Sequence, residues 1–221
     1  MQRRVTAELL DADLGAPAEL DDSLRDLGHV NDWFGGTRTT TALLHRVAAQ
    51  SGDTELSLLE IGAGSGHVPL AAQRRLARAG LALQVTLLDR LWTHLPRNGT
   101  PTVAGDAMRL PFRDGSFDVV NCSLLVHHFA PEAIPRLCTE GLRVARRALL
   151  INDLTRSRPH LMAAQVTLPL FRNYITWHDG VASVRAAYTV GEMRAMLRQV
   201  PARDVEISRY PLFRMGVILW K

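Results

Sequence analysis

The 221-residue chain contains only two cysteines and no long apolar run. Cys122 and Cys138 are too few for a disulfide framework, and they lack the spacing of metal ligands. No apolar stretch approaches the roughly 18 residues that a membrane-spanning helix needs. A disulfide-stabilised secreted scaffold and a helical membrane span are therefore excluded. Packed, reduced thiols are expected instead, as in a cytoplasmic protein.

The chain also lacks a strong excess of charge of either sign. Its 26 basic and 22 acidic residues leave a net charge of +4, which permits an anionic partner but does not require one. Two arginines stand near the N-terminus, but Glu8 and Asp11 follow where a signal peptide would have its apolar core. There is no internal repeat or low-complexity tract, so we predict one cytoplasmic domain over residues 1–221.

What the chain does have is a glycine-rich stretch, SLLEIGAGSGH, from Ser57 to His67. An apolar run ends in an acid, three alternating glycines follow, and a segment with helical spacing comes next. This pattern predicts a strand, a tight turn and a helix. The glycines let backbone N–H groups and the helix N-terminus approach a ligand. A tight turn in any α/β protein is the alternative interpretation.

The spacing of these glycines separates two cofactor classes. In the dinucleotide fingerprint G-x-G-x-x-G the third glycine would fall at His67, but Gly66 comes one position earlier. The pattern Glu60-x-Gly62-x-Gly64-x-Gly66 instead resembles the first motif of class I S-adenosylmethionine-dependent methyltransferases.

Later segments agree with this resemblance. Asp89 ends a second apolar strand, where a carboxylate can accept the two ribose hydroxyls of an adenosyl group. Asp106 and Ala107 follow a third strand, where the family has an acid facing the adenine amino group and a backbone N–H facing the ring. Over residues 55–153 the chain resembles small-molecule methyltransferases related to the quinone-biosynthesis enzymes, through the sequences Leu110-Pro111-Phe112, Phe117-Asp118-Val119-Val120 and His127-His128.

The resemblance implies S-adenosyl-L-methionine as cofactor and S-adenosyl-L-homocysteine as product. It also implies an α/β, Rossmann-like fold with a seven-stranded, mostly parallel sheet that closes with a C-terminal antiparallel hairpin. We expect the hairpin to turn at Tyr210-Pro211. The residues that it implies for cofactor binding are Glu60, Gly62, Ala63, Gly64, Gly66, Asp89, Arg90, Asp106, Ala107, Met108 and Ser123.

Two segments outside this core, residues 1–50 and residues 154–189, are expected to cover it. Residues 1–50 have apolar residues at helical spacing and predict an N-terminal helical cover. It consists of two short amphipathic helices with acidic outer faces, followed by a third helix over residues 39–50. Residues 190–221 supply a closing helix and the last strands.

Residues 154–189, after the fifth strand, do not fit a minimal alternation of strands and helices. We expect an insertion that forms a lid and acceptor wall, with a helix from Pro159 to Asn173 that Pro169 kinks. A packing helix followed by a polar loop is the alternative. Together the two covers predict an apolar, aromatic acceptor pocket formed by Trp33, Phe34, His127, Leu168, Phe171, Tyr174 and Trp177.

Methyl transfer from a sulfonium is an in-line displacement, so the protein must chiefly align the reactants and exclude water. A general base helps if the acceptor is a phenol or an acidic carbon. His178, beside Asp179, and His128, after the fourth strand, are the predicted catalytic candidates. The other histidines His29, His45, His94 and His160 are assigned to surface or helix positions. No metal site is predicted, because no cluster has ligand spacing.

The sequence therefore predicts a methyltransferase that acts on a small aromatic or polyketide-like metabolite of secondary metabolism, on oxygen in preference to carbon. One alternative is an RNA methyltransferase, suggested by the excess of arginine. Against it, the place of the Asn/Asp-Pro-Pro-aromatic run of amino-methylating enzymes reads Asn121-Cys122-Ser123-Leu124, without proline. Nucleic acid is thus not the expected partner. A non-catalytic S-adenosylmethionine-binding regulator is the other alternative, and the oligomeric state, monomer or homodimer, is left open.

Overall fold

One sheet runs through the middle of the molecule. The computed structural model describes residues 1–12, 15–168, 171 and 173–221. Its seven strands are β1 (Glu55–Ile61), β2 (Ala82–Asp89), β3 (Thr102–Ala104), β4 (Phe117–Ser123), β5 (Ala145–Leu154), β6 (Asp204–Tyr210) and β7 (Arg214–Trp220). They lie in the order β3-β2-β1-β4-β5-β7-β6. All neighbouring pairs are parallel except β5–β7 and β6–β7, which are antiparallel. The predicted sheet with its closing hairpin is confirmed.

Helices cover both faces of this sheet. They are α1 (Pro17–Trp33), α2 (Gly36–Ser51), α3 (His67–Arg78), α4 (Ile134–Val144), α5 (Arg158–Thr167), α6 (Tyr174–Ala186) and α7 (Val190–Leu197). Leu58 of β1 packs with α2 and α3, whereas the next residue, Leu59, packs with α4 and α7 on the opposite face. Burial on both faces explains why the central strands are continuously apolar. In the described part of the chain, no helix combines the length and apolarity needed to cross a bilayer.

The N-terminal cover differs from the prediction. Residues 1–12, here named the strap, are not helical and lie across α6. The backbone N–H of Arg4 donates to the carbonyl of Arg185, and those of Leu9 and Leu10 donate to the carboxylate of Asp179. The first predicted helix is therefore wrong, because these groups bond to a distant helix instead of to each other. A single helix, α1, replaces the second.

The insertion after β5 holds two helices rather than one. The predicted helix over 159–173 is α5, which ends at Thr167, and the predicted kink at Pro169 lies outside the described residues. The segment that the alternative interpretation made a polar loop is the start of α6. Its N-cap is Asn173, whose side chain accepts a hydrogen bond from the backbone N–H of Ile175 at 2.8 Å.

The closing hairpin turns later than predicted. Tyr210 still pairs with Arg214 in the ladder, so the turn comprises residues 211–213 rather than Tyr210-Pro211. Leu212 and Phe213 have φ angles of 60° and 61°. The left-handed region disfavours such residues by about 1–2 kcal/mol each. The turn thus holds two bulky side chains in an unfavourable backbone conformation, next to the cavity described below.

Candidate active site

A cavity of about 500 Å³ opens at the carboxyl ends of β1, β2 and β4. This is the edge of a parallel sheet at which ligands bind. The loops after these strands form one side of the cavity. The strap, α1, α5, α6 and the β6–β7 turn form the other side, so both predicted covers contribute to its wall.

The loop between β1 and α3 is the glycine turn that the sequence predicts. Gly62, Gly64 and Gly66 have φ angles of 65°, 50° and 70°, which favour glycine. A Cβ on Gly62 would come within 2.7 Å of the Leu125 side chain, and one on Gly66 within 2.5 Å of the Leu87 side chain. The turn is closed by the Gly66 N–H, which donates to the carbonyl of Ala63 at 2.8 Å. Glycine is therefore required at both ends of this loop.

Asp89, at the end of β2, lies against this turn. One oxygen of its carboxylate accepts a hydrogen bond from the Gly64 N–H at 2.8 Å, and the other accepts from the Leu91 N–H at 2.9 Å. Asp106 is exposed after β3, and its carboxylate accepts from the Met108 N–H at 2.8 Å. Acidic groups after β2 and β3 thus border the same cavity as the glycine turn.

Glu60 ties the floor of the cavity together. Its carboxylate accepts from the Ser123 backbone N–H at 3.0 Å and from the Asn121 side-chain amide at 2.6 Å, so it links β1 to β4. Burial raises the pKa of Glu60 to about 7, although the bonds from Asn121 and Ser123 oppose the rise.

The structure brings together nearly all of the residues predicted for cofactor binding. Gly66 and Met108 are the two that do not line the cavity; Gly66 packs behind the turn instead. The residues that do line it are Glu60, Gly62, Ala63, Gly64, Asp89, Arg90, Asp106, Ala107 and Ser123.

His127 is buried in the cavity wall and paired with a buried acid. Its Nδ1 donates to Asp153 Oδ1 at 2.7 Å, and its Nε2 lies 3.6 Å from an oxygen of Glu8. Among the described residues, Nε2 has no hydrogen-bond partner. Burial opposes the imidazolium, but the carboxylates of Asp153 and Glu8 raise the pKa of His127 to about 10. His127 is therefore a cation and a poor base at neutral pH.

His128 also lines the cavity and also meets the strap. Its Nδ1 lies 2.8 Å from Asp11 Oδ2, and its Nε2 lies 3.8 Å from Glu8 Oε2. Sequence reasoning placed Glu8 and Asp11 on the outer face of a helix, so it missed their position in the cavity. The acidic content of the strap beside a His-His pair was the available signal.

His160 lies on α5, in agreement with the predicted helix position, but its side chain is buried and lines the same cavity. Its Nδ1 lies 3.0 Å from the carbonyl oxygen of Thr155. A carbonyl only accepts, so Nδ1 carries the proton and Nε2 keeps its lone pair. The ring stacks on Phe213 with centroids 4.7 Å apart. Burial lowers the pKa of His160, and the positive charge of Arg214 adds to this effect against the opposing bond to Thr155.

Arg214 opens β7 and is 1% exposed. Its Nε donates to the carbonyl of Phe34 and its Nη2 to the side chain of Asn31, both at 3.0 Å. Nη1 is buried and has no hydrogen-bond partner in the described part of the chain. Burial lowers the pKa of Arg214 to about 10, so it remains a cation at neutral pH. The sequence predicted a pocket with few charges and missed this arginine, whose only signal was its place before an apolar final strand.

Several predicted pocket residues lie elsewhere. Phe34, His127 and Leu168 line the cavity, whereas Trp33, Tyr174 and Trp177 do not and are exposed. Phe171 packs against Trp33 with ring centroids 5.8 Å apart, also outside the lining. These aromatic residues fall on outward faces because α1 extends to Trp33 and α6 begins at Tyr174. Their predicted wall role is corrected.

His178 is likewise outside the cavity lining. Its Nδ1 lies 2.7 Å from Asp179, whose carboxylate also holds the strap through the backbone N–H groups of Leu9 and Leu10. The prediction that His178 acts as catalytic base is therefore corrected: its pairing with Asp179 belongs to the anchor of the strap.

Comparisons with known proteins agree with this geometry. The family described as a methyltransferase domain matches residues 59–148. A phosphatidylethanolamine N-methyltransferase from Cereibacter sphaeroides is 31% identical over 136 residues, which cover 58% of this chain and 66% of that protein. The structure of the plantazolicin methyltransferase, with a monoazolic desmethyl-plantazolicin analogue and S-adenosylhomocysteine, is 14% identical with a TM-score of 0.64, and covers 90% of this chain and 88% of that one. Human N-acetylserotonin methyltransferase, in complex with S-adenosylmethionine, is 13% identical with a TM-score of 0.63, and covers 92% of this chain and 56% of that one.

The structural likenesses show the fold. Residues 59–148 match a methyltransferase domain, and the chain is similar to S-adenosylmethionine-dependent methyltransferases, which use S-adenosylmethionine as their cofactor. The match spans slightly less than two thirds of the curated relative and little more than half of the human enzyme.

Proposed function

We propose that the chain transfers a methyl group from S-adenosylmethionine to a hydroxyl oxygen of a small, largely apolar acceptor, of aromatic or polyketide-like type. The observation that carries the proposal is the pairing of His160 and Arg214 in the cavity wall. His160 is a neutral base with its proton on Nδ1 and a lone pair on Nε2, and Arg214 is a cation whose Nη1 has no partner among the described residues. Methylation of a hydroxyl requires both removal of a proton and stabilisation of the oxyanion.

The residues of the cofactor side fit the adenosyl group. The left-handed glycines leave room for close approach, and the carboxylate of Asp89 is placed to accept ribose hydroxyls. Asp106 is placed to accept from the adenine amino group, beside the backbone of Ala107. When bound, S-adenosylmethionine supplies a methyl group on a sulfonium sulfur, which departs as the thioether of S-adenosylhomocysteine.

On the acceptor side, Nε2 of His160 takes the proton from the acceptor hydroxyl. Nη1 of Arg214 donates to the oxygen as negative charge develops there, in a buried site where such a bond is strong. The apolar side chains of Phe34, Leu168 and Phe213 hold the acceptor skeleton and exclude water. The strap and the helices in the cavity wall limit the access of bulk water to a bound cofactor.

Labelled S-adenosylmethionine tests the proposal when it is offered with separate pools of phenolics, polyketide-like hydroxy compounds, amines including phosphatidylethanolamine, and structured RNA. We expect label in a hydroxyl-bearing pool. His160→Ala should lower the rate by about 10²–10⁴-fold while binding of S-adenosylhomocysteine is kept. His45→Ala, an exposed histidine on α2, is the matched control.

Label confined to amines or to RNA would contradict the proposed acceptor. Binding of the cofactor without label in any pool would favour the non-catalytic alternative. A His160→Ala variant with full activity would overturn the assignment of the base.

A further inference from the structure

Three ligand-type side chains converge beside the acceptor half of the cavity. His127, His128 and Glu8 each offer one ligand atom, and these three atoms lie within 4.8 Å of one another. Nε2 of His127 lies 3.6 Å from Glu8 Oε1, and Nε2 of His128 lies 3.8 Å from Glu8 Oε2. The histidines belong to the short 3₁₀ helix Val126–His128 after β4, and Glu8 belongs to the strap. All three line the cavity, and proximity of this kind could not be deduced from spacing along the chain.

Both imidazole rings are already oriented by a second acid. His127 Nδ1 is held by Asp153 at 2.7 Å, and His128 Nδ1 is held by Asp11 at 2.8 Å. In each ring this leaves Nε2 as the atom that points toward Glu8. A histidine that ligates a metal almost always donates its other N–H to a carboxylate or carbonyl, and this fixes the tautomer and ring orientation. Here the arrangement occurs twice around one carboxylate.

The local charge favours a cation. Three carboxylates, those of Glu8, Asp11 and Asp153, surround the two rings, and Asp153 is 2% exposed. A bound ion would replace the proton that His127 carries on Nε2 in the free protein, so binding would release one proton. The residue His127 is 1% exposed, and among the described residues its Nε2 has no hydrogen-bond partner. A buried polar atom without a partner is unfavourable in free energy. The guanidinium of Arg3 approaches the same 3₁₀ helix but donates to backbone carbonyls, including that of His127 at 2.8 Å. It leaves the space between the three ligand atoms unfilled.

We propose that Glu8, His127 and His128 form a binding site for a divalent transition-metal ion, with Zn²⁺ as the best-suited ion. Two imidazoles and one carboxylate are a ligand set that zinc takes in sites with an open position. Mg²⁺ and Ca²⁺ prefer all-oxygen sites and are disfavoured. The Nε2–carboxylate distances of 3.6 and 3.8 Å need to shorten only to about 3.3 Å for tetrahedral ligands at zinc–ligand distances near 2.0–2.1 Å.

The ion would join the strap to the core, because Glu8 is the only one of its three ligands outside the 3₁₀ helix. Its open coordination position would face the cavity that all three residues line. Binding of the ion does not depend on the proposed methylation, so the two can fail separately.

Titration calorimetry with ZnCl₂ on tag-free, EDTA-treated full-length protein tests the site, with elemental analysis for stoichiometry. We expect one saturable equivalent, and a Co²⁺ derivative with a visible d–d spectrum. Glu8→Gln and His128→Ala should each weaken zinc binding by at least tenfold. Even changes to residues that only hydrogen-bond to the ligands lower metal affinity by about 10–100-fold. His45→Ala, which removes an exposed histidine from α2, should bind like the unchanged protein.

Circular dichroism and thermal unfolding without metal establish that each variant is folded. His127→Ala is not needed, because it would leave buried Asp153 unpaired and could unfold the chain. Absence of saturable binding, or equal affinity in Glu8→Gln, His128→Ala and the unchanged protein, would overturn the proposed site. The three side chains would then form only ion pairs that hold the strap against the 3₁₀ helix. Methyl transfer that persists in a metal-free preparation would leave the proposed function intact.

Discussion

His160 and Arg214 lie close together in the cavity wall, where His160 is neutral and Arg214 is a cation. The positive charge of Arg214 disfavours a second positive charge on the imidazole, and burial acts in the same direction. The bond from Nδ1 to Thr155 fixes which nitrogen is basic. One wall of the cavity therefore holds both an unprotonated base, His160, and a cation, Arg214, whose Nη1 has no partner among the described residues.

The pH dependence of catalysis tests this pair. We expect kcat/KM to rise with pH through the pKa of His160, at a value below the ordinary 6.5, because only the neutral ring accepts the proton. Arg214→Met removes the neighbouring positive charge, so the pKa of His160 rises and the acid limb moves to higher pH. The plateau should fall by about 10²–10³-fold, as for loss of an oxyanion donor. The pH–rate profiles of both proteins provide the measurement.

Arg209→Met on β6 is a suitable control, because it removes an exposed arginine of the same hairpin. Its acid limb should coincide with that of the unchanged protein. An acid limb that does not move in Arg214→Met, in a variant shown to be folded, would separate Arg214 from His160 and count against the proposed division of roles.

At the scale of elements, the strap is the part of the chain that depends most on distant partners. Asp179 on α6 accepts from the backbone N–H groups of Leu9 and Leu10, both at 2.9 Å. Arg3 donates to the carbonyls of His127, Phe129 and Ala186. The strap is thus fastened at two points, on α6 and on the 3₁₀ helix after β4, across the cavity mouth.

Removing the first fastening should loosen the strap without unfolding the sheet. Asp179→Ala leaves the Leu9 and Leu10 amides without their acceptor, and a bond to a charged group contributes about 1.5–3 kcal/mol. We expect hydrogen exchange at these two amides to accelerate by at least tenfold, while amides of β1 and β4 keep their rates. Trp177→Ala, a change of an exposed side chain on the same helix that retains both the carboxylate and His178, is the control. Unchanged protection at Leu9 and Leu10 in Asp179→Ala would show that the strap is held by other contacts.

The strap and the hairpin tip also mark where prediction from sequence failed. Helical spacing in residues 1–12 reports only which side chains are apolar, and the deciding bonds lie more than 160 residues away. The turn at Leu212-Phe213 has neither glycine nor asparagine, the residues that usually reveal a left-handed backbone. Arg214 directly follows this turn, and the His160 ring stacks on Phe213 within it, so spacing along the chain could not reveal that the two residues share one wall.

At the scale of the whole molecule, the cofactor half was predictable for the opposite reason. The parallel strands all have their carboxyl ends at the same edge of the sheet, so an acid or glycine that follows such a strand must lie at that edge. Glu60, Asp89 and Asp106 were thereby located before the fold was known, and all three line the cavity. Exposed Trp33 and Trp177 show the limit of this reasoning, because helix orientation rather than chain order decides which face they take.

Occupancy of this edge should stabilise the whole molecule. A ligand bound only by the folded state at 100 times its Kd adds about 2.7 kcal/mol to the free energy of unfolding. For a domain of this size we expect S-adenosylhomocysteine to raise Tm by roughly 5–10 °C, and NAD to leave it unchanged.

Asp89→Asn keeps the shape but loses the charge that strengthens bonds to the ribose. At the same ligand concentration its Tm shift should fall to about half or less, since a tenfold loss of affinity removes about 1.4 kcal/mol. Asp204→Asn, an exposed change on β6, should retain the full shift. The comparison uses shifts rather than absolute Tm values, because Asp89 also holds the Gly64 and Leu91 N–H groups in the free protein. An equal shift in Asp89→Asn, or a shift with NAD, would refute the assignment of this edge to the adenosyl group.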